Sequence, residues 1–307
     1  MKNELMQLAE ECFKEARITD ELCGASIKKY RSSISVFAGI IGSKKLEDLE
    51  NADFDHFIVA MKERNACNAR IANVIASVKW LITKLQRKDM VFNRLNLLII
   101  NRPKIQKKET NYLTEKEIDQ LISAIKRDMV KKETVKNLRF MACLTFLLQT
   151  GARIGEALSI NISDIDRLNK EVRVIGKASK PRTLFLRDET LYWIDKYLST
   201  RKDNERALFA TQDGKSRWKQ TDVGRSFRKY KELSGIQKDF VIHTMRHTFA
   251  TQYLMRGAGI NVVQTALGHS DAMTTLKYYA AAVEKSKVRE MINDKHFDFI
   301  PKLRLRH

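Results

Sequence analysis

The spacing of apolar residues across Asn68–Leu85 leaves this stretch one regular conformation. Ile71, Val74, Ile75, Val78, Leu81, Ile82 and Leu85 recur at steps of three and four. That spacing gathers them on one face of an α-helix and would scatter them over both faces of a strand. Ile27, Tyr30, Ile34 and Phe37 repeat it within Ser26–Ile41, and Phe54, Phe57, Ile58 and Met61 repeat it within Asn51–Lys62. A small all-helical bundle is therefore expected over residues 1–100. With three prolines and twelve glycines in 307 residues, few positions interrupt helices anywhere in the chain.

The pattern lapses at Asn101-Arg-Pro-Lys-Ile-Gln-Lys-Lys-Glu-Thr-Asn111, which is polar, basic and punctuated by Pro103. Such a stretch reads as an interdomain linker over residues 101–112. A second domain is expected from residue 113. It opens with Thr114-Glu-Lys-Glu117, a capping box in which the Thr114 hydroxyl accepts from the Glu117 amide while Glu117 reaches back. A buried helix is expected over Leu138–Gln149, ending at Gly151. Lys170–Ile175 and Arg182–Leu186 read as the strands of a hairpin around Gly176-Lys-Ala-Ser-Lys-Pro181. Helices resume at Glu189–Thr200, Thr221–Leu233, Thr244–Met255, Asn261–Leu267 and Met273–Ala282. The fold class is mainly α with a small β-hairpin or sheet, the second domain being α+β.

Charge narrows the partner. The formal net charge is +20, which points to a polyanion, because clustered Lys and Arg release the counterions of a phosphate backbone. Residues 1–105 hold 18 basic and 13 acidic groups, so most of the excess falls in the second domain. Between two basic domains, the linker either runs along DNA and lets the halves close as a clamp, or is a surface loop. Cys12, Cys23, Cys67 and Cys143 form no CxxC pair, and they read as reduced, buried or half-buried thiols. The opening MKNELMQLAEECFKEAR is charged throughout, unlike a signal peptide or a membrane span. A cytoplasmic, nucleoid-associated protein with no membrane partner is the expectation.

Four segments of the second domain carry residues suited to phosphate chemistry. Thr150-Gly-Ala-Arg153-Ile-Gly-Glu156 uses a turn glycine to deliver an arginine to a helix start. The hairpin turn carries Lys177 and Lys180. His243-Thr-Met-Arg246-His247 sets three basic side chains on one helix. Leu267-Gly-His269-Ser-Asp-Ala-Met-Thr-Thr-Leu-Lys-Tyr278-Tyr279 closes the set. Taken singly, Arg153 would be a helix-start ion-pair partner, the lysines solvated turn residues and the tyrosines core aromatics. His243 and His247 stand four apart, as zinc ligands can, but no HExxH glutamate and no third ligand accompany them.

Taken together, these segments resemble the phage integrase family, the tyrosine recombinases, whose signature runs Arg, Lys, His-x-x-Arg, His or Trp, then Tyr. The positions here are Arg153, Lys177, His243, Arg246, His269 and Tyr278, within flanks TGARIGEAL and HTMRHTFATQYLMRGAGINVVQTALGHSDAMTT. The resemblance covers roughly residues 113–282, and the helical residues 1–100 resemble the family's core-binding domain. It implies that Tyr278 attacks a DNA phosphate to form a 3′-phosphotyrosine. Tyr278 follows His269 by nine residues, the family's interval, while Tyr279 is turned about 100° away on a helix. Lys177 on the hairpin would serve as general acid, with Lys180 as its rival, and His269 would donate a hydrogen bond to the phosphate.

The chemistry accounts for the residue types. Attack on phosphorus adds negative charge to the non-bridging oxygens, and guanidinium groups bind two such oxygens in a fixed fork. Arg153 and Arg246 fit that task, with His243 placed to accept the tyrosine proton. Glu156 would orient its neighbours, and His247 would satisfy a buried hydrogen bond. No acidic cluster adjoins these segments, so no metal is expected. The covalent link conserves the energy of the broken bond, so no nucleotide cofactor is expected either. The partners implied are double-stranded DNA and further copies of the chain, a tetramer on two DNA sites, together with an accessory directionality or activating protein. Residues 283–307 read as a tail that docks on a neighbouring protomer or folds on its own domain. A type IB topoisomerase, a telomere resolvase and a catalytically silent DNA-binding protein are the alternatives, and a chromosomal Xer-like role and a mobile-element role both stay open.

Overall fold

A computed structural model describes residues 4–20, 22–42, 44–90, 92, 94–105, 111–176 and 181–268. The chain forms two compact units, residues 1–108 and 109–307. In the first, helices α1 (Glu4–Thr19), α2 (Gly24–Ile41), α3 (Asn51–Glu63) and α4 (Asn68–Gln86) enclose one apolar core. Every α4 position singled out by its spacing is buried. Phe37 of α2 lies between Phe54 and Phe57 of α3, with ring centroids 4.9 and 5.1 Å apart. α1 is a helix that the apolar spacing did not mark. It buries Leu5, Ala9, Cys12, Phe13 and Ala16, and Phe13 stacks on Trp80 of α4 at 5.7 Å.

The cysteine expectation needs correcting in part. Cys12 and Cys143 are buried, but Cys23 and Cys67 are exposed. Both stand at the residue preceding a helix, Cys23 before α2 and Cys67 before α4, with extended backbone. That position sets a side chain over the first turn of its helix rather than in the core, and Cys23 Sγ lies 3.2 Å from Ser26 Oγ.

The second unit is built around a helix with almost no solvent face. α5 (Glu115–Lys131) opens it, with the Thr114 capping box formed in both directions. α6 (Val135–Thr150) follows, and every residue from 137 to 147 is buried. A helix apolar on all sides has to be wrapped. α6 is covered by α5, by α8 (Asp188–Leu198), by α9 (Gln220–Ser234) and by α10 (Thr244–Met255). The short α7 (Ile154–Ser159) comes after the α6 terminus, and α11 (Ile260–Leu267) packs against α10.

A small antiparallel sheet, in the order β1 (Ile165–Asp166), β2 (Glu171–Ile175), β3 (Pro181–Phe185), flanks these helices. β1 was not expected, since two residues are too few to show alternation. Val172 pairs with Leu184 and Val174 with Arg182. Pro181 opens β3 opposite Ile175, at the start of an edge strand, where the missing N–H costs no ladder bond. The fold is thus mainly helical with a three-stranded sheet, as the sequence led one to expect.

Gly151 sets the direction of the chain after α6. It adopts φ 63°, ψ 17° and donates its N–H to Leu147. A Cβ there would lie 2.5 Å from the Phe249 ring and 3.0 Å from Leu267 Cδ2. Conformation and space therefore both require glycine. Gly151→Ala should lower unfolding stability by more than about 1 kcal/mol, measured by denaturant titration. An unchanged midpoint would show that neither constraint operates.

Candidate active site

Arg153 reaches its place through that turn. It is the residue preceding α7, with φ −71° and ψ 145°. Its backbone N–H donates to Glu156 Oε2 at 2.7 Å and its guanidinium NH1 donates to Glu156 Oε1 at 2.8 Å. One carboxylate thus caps the helix and aims the guanidinium. Glu156 is 6% exposed, whereas the Arg153 side chain keeps 32% of its surface open. Burial by itself would raise the Glu156 pKa. The Arg153 backbone N–H and the guanidinium groups of Arg182 and Arg153 outweigh it and hold the carboxyl below its ordinary 4.5.

Arg246, on the first turn of α10, is 2% exposed. Its NH1 donates to the Gly151 carbonyl at 2.7 Å and its NH2 to the Leu267 carbonyl at 2.6 Å. These carbonyls lie at the C-terminal ends of α6 and α11, where backbone acceptors lack intrahelical partners and carry partial negative charge. One guanidinium therefore joins two helix ends. The first leads within two residues to Arg153, and the second leads through Gly268 to His269.

His243 stands at the N-terminal end of α10 with a solvent-accessible ring. Its ring meets that of His247, one turn on, edge to face at 4.9 Å. Partial desolvation by its surroundings, then the charges of Arg246 and Arg153, lower its pKa below the ordinary 6.5. Both arginine charges thus act on one imidazole and disfavour its protonation. His247 is half-buried. Among the described residues, no group of three or more His, Cys, Asp or Glu side chains converges as a metal-binding set would, and no helix is long and apolar enough to cross a membrane. Lys177, Lys180, His269, Tyr278 and Tyr279 lie outside the described residues, as do the expected helix Met273–Ala282 and the tail 283–307.

Arg182 is the residue that sequence reasoning passed over. Its side chain is 11% exposed, and its NH2 donates to Glu156 Oε2 at 2.8 Å. Its NH1 donates to the Ala266 carbonyl at the end of α11. A signal for it existed. Leu184 of this edge strand and Leu186 just beyond it are buried, so alternation puts residue 182 inward as well.

In this α6-centred helical unit with a three-stranded sheet, the charge of Arg153 joins that of Arg246 on His243 of α10, and its relatives show the chain to be a tyrosine-type site-specific DNA recombinase. The chain belongs to the phage integrase family, whose model matches residues 111–285. It is 30% identical over 257 residues to tyrosine recombinase XerD of Oceanobacillus iheyensis, covering 81% of this chain and 83% of that one. It is 27% identical to a tyrosine recombinase of Thermosipho africanus, over 84% of this chain and 89% of the other. Two solved structures share the fold. XerH recombinase bound to a palindromic difH substrate superposes with a TM-score of 0.74 at 19% identity, over 94% of this chain and 84% of that one. The Tn1549 transposon integrase in complex with transposon right-end DNA gives 0.73 at 20% identity, over 94% and 99%.

Glu156→Gln tests the carboxylate. The Glu156 pKa is depressed in the folded protein, so its contribution is complete above the unfolded value and is lost as pH falls through the folded one. The variant should be less stable than the parent by about 3 kcal/mol at pH 7, and the gap should narrow on acidification. A gap that stays constant from pH 7 into the acid range would contradict an ionised, arginine-held carboxylate.

Proposed function

We propose that the protein exchanges DNA strands at specific sites through a covalent 3′-phosphotyrosine, with Tyr278 as nucleophile. The observation that carries this reading is the convergence of Arg153 and Arg246 on His243 through the Arg246 bridge between α6 and α11. Arg153, whose guanidinium is open, holds the non-bridging oxygens of the scissile phosphate, and Arg246, buried beneath with NH1 and NH2 on the Gly151 and Leu267 carbonyls, adds its charge to stabilise what develops there during attack. Neutral His243 accepts the Tyr278 phenol proton as the phenolic oxygen bonds to phosphorus. The bond from phosphorus to the 5′-oxygen breaks, and Lys177 supplies the proton that oxygen needs. His269 donates to the phosphate. A 5′-hydroxyl from another strand then reverses the same steps, so the phosphodiester is restored without a nucleotide. Glu156 holds Arg153, and His247 supports the His243 ring.

The wider assignment follows from the same reading. Residues 1–100 act as a core-binding domain that joins the catalytic residues 113–282 through the linker 101–112, both sides carrying positive charge to duplex DNA. Four copies on two DNA sites make the exchange pairwise, with residues 283–307 docking on a neighbouring protomer. The protein works on the nucleoid in the cytoplasm, with an accessory directionality or activating protein for some sites. Support for strand exchange over topoisomerase or resolvase chemistry comes from the relatives, which are named as recombinases. Their names include Xer recombinases as well as a transposon integrase, so resident and mobile sites are both within reach of this chemistry.

On a nicked suicide substrate, Tyr278→Phe should abolish the covalent 3′ adduct while leaving DNA affinity unchanged. If Tyr279→Phe abolishes it instead, the nucleophile is Tyr279. The pH profile is a second check. A base whose pKa lies below 6.5 is already neutral at pH 7. The acid limb of the second-order rate of adduct formation should therefore be centred below the ordinary imidazole value of 6.5. An acid limb centred at or above pH 7 would remove His243 from the role of base.

A further inference from the structure

We infer that Arg182 is a positioning residue for strand cleavage: it locks the hairpin strand that leaves the Lys177 turn to the carboxylate holding Arg153 and to the end of α11 that precedes His269. The inference rests on the site reading above, and it concerns a residue to which that reading gives no part.

Three contacts define the lock. Arg182 lies on β3 opposite Val174, on the same face as the buried Val172, Val174 and Leu184. From there its NH2 reaches Glu156 Oε2, the oxygen that also accepts the Arg153 backbone N–H. Its NH1 reaches the Ala266 carbonyl. Its stem runs against Gly268, where an added Cβ would lie 2.7 Å from Arg182 Cδ and 3.1 Å from Nε. Gly268 has φ 62°, so conformation and arginine stem both demand glycine at the residue before His269.

The energetics argue against a merely stabilising part. Among the described residues, Arg182 Nε is buried without a hydrogen-bond partner, a cost that an apolar side chain of the same length would avoid. What an apolar side chain could not do is join three separately folded segments at fixed distances. Arg246 ties α6 to α11, and Arg182 ties the sheet to α7 and to the same end of α11. The two arginines approach Gly268 from different elements, and together they fix the spacing of Arg153, the start of β3 and Gly268. A shift of about 1 Å at such a centre is enough to cost on the order of 100-fold in rate.

The test uses the full-length protein on the nicked suicide substrate at saturating DNA. Arg182→Met keeps length and packing and removes the donors, while Arg182→Lys keeps a single charge that reaches one partner at a time. Arg182→Met should slow single-turnover adduct formation by roughly 10- to 100-fold with DNA affinity unchanged, and Arg182→Lys should recover part of that loss. Combining Arg182→Met with Glu156→Gln should be no slower than the worse single variant, since both break one lock. Wild-type cleavage in Arg182→Met, with or without a lower melting temperature, would overturn the inference. If that variant does not fold, Arg182→Lys decides: an intermediate rate supports the lock and a wild-type rate overturns it. Arg153→Ala, run alongside, separates the two levels. A fast Arg153→Ala would overturn the site reading and the inference with it, whereas a slow Arg153→Ala beside a fast Arg182→Met would overturn the inference alone.

Discussion

A guanidinium that is almost wholly excluded from water needs acceptors, and Arg246 finds them at the ends of two helices. The Gly151 and Leu267 carbonyls are the backbone acceptors that α6 and α11 cannot use themselves, and each sits at the negative end of a helix. In a desolvated setting such bonds are stronger than at a surface, and leaving one partner unmatched is correspondingly expensive. The consequence is geometric. The backbone leaving α6 arrives at Arg153, and the backbone leaving α11 arrives at Gly268, with their separation fixed by the span of one side chain. Hydrogen bonds of sheet or helix could not do this, because the segments belong to no common element.

Around this bridge, charge is distributed unevenly. Of three arginines, Arg153 and Arg182 share one buried carboxylate, Glu156, and Arg246 donates to the Gly151 and Leu267 carbonyls, in a chain with net charge +20. Glu156 binds two of the three, and Arg246 is satisfied by carbonyls, so positive potential persists at the surface where Arg153 is open. That potential draws a phosphate. With desolvation as the larger cause, it also lowers the His243 pKa, since a further positive charge next to Arg246 and Arg153 is disfavoured. The surroundings proposed to bind the anion therefore also suit the proposed base. Glu156 matters here because it turns Arg153 without cancelling the field around it.

Helices α2, α3 and α4 were legible because large apolar side chains at helical spacing have only one face to occupy. α1 was not, since Ala9, Cys12 and Ala16 make up most of its buried stripe and carry little weight amid the surrounding charge. The delivery of Arg153 was legible too. A glycine that ends one helix, with a glutamate three residues beyond the arginine, is a local pattern. The partners of Arg246 were not, because they are backbone carbonyls, which every residue possesses, at distant points of the chain. Arg182 lies between these cases. Its inward position could be read from alternation with Leu184 and Leu186, but only the fold shows that Glu156 and Ala266 wait on that side.

Backbone partners also decide which positions tolerate change. At residue 267 the bond to Arg246 uses a carbonyl, so side-chain identity there enters only through packing. At Gly151 and Gly268 the backbone is left-handed and an added Cβ would strike Phe249 or Arg182, so chain geometry and site geometry impose the same requirement. Lysine cannot replace Arg246 for a related reason. A single ammonium on a flexible stem can approach one carbonyl closely, but it lacks the rigid fork that holds two acceptors at a set distance. The spacing of the helix ends would then depend on packing alone. Two glycines and the arginines that touch their neighbourhoods thus carry more of the site's precision than the surrounding apolar residues, which can be exchanged at constant volume.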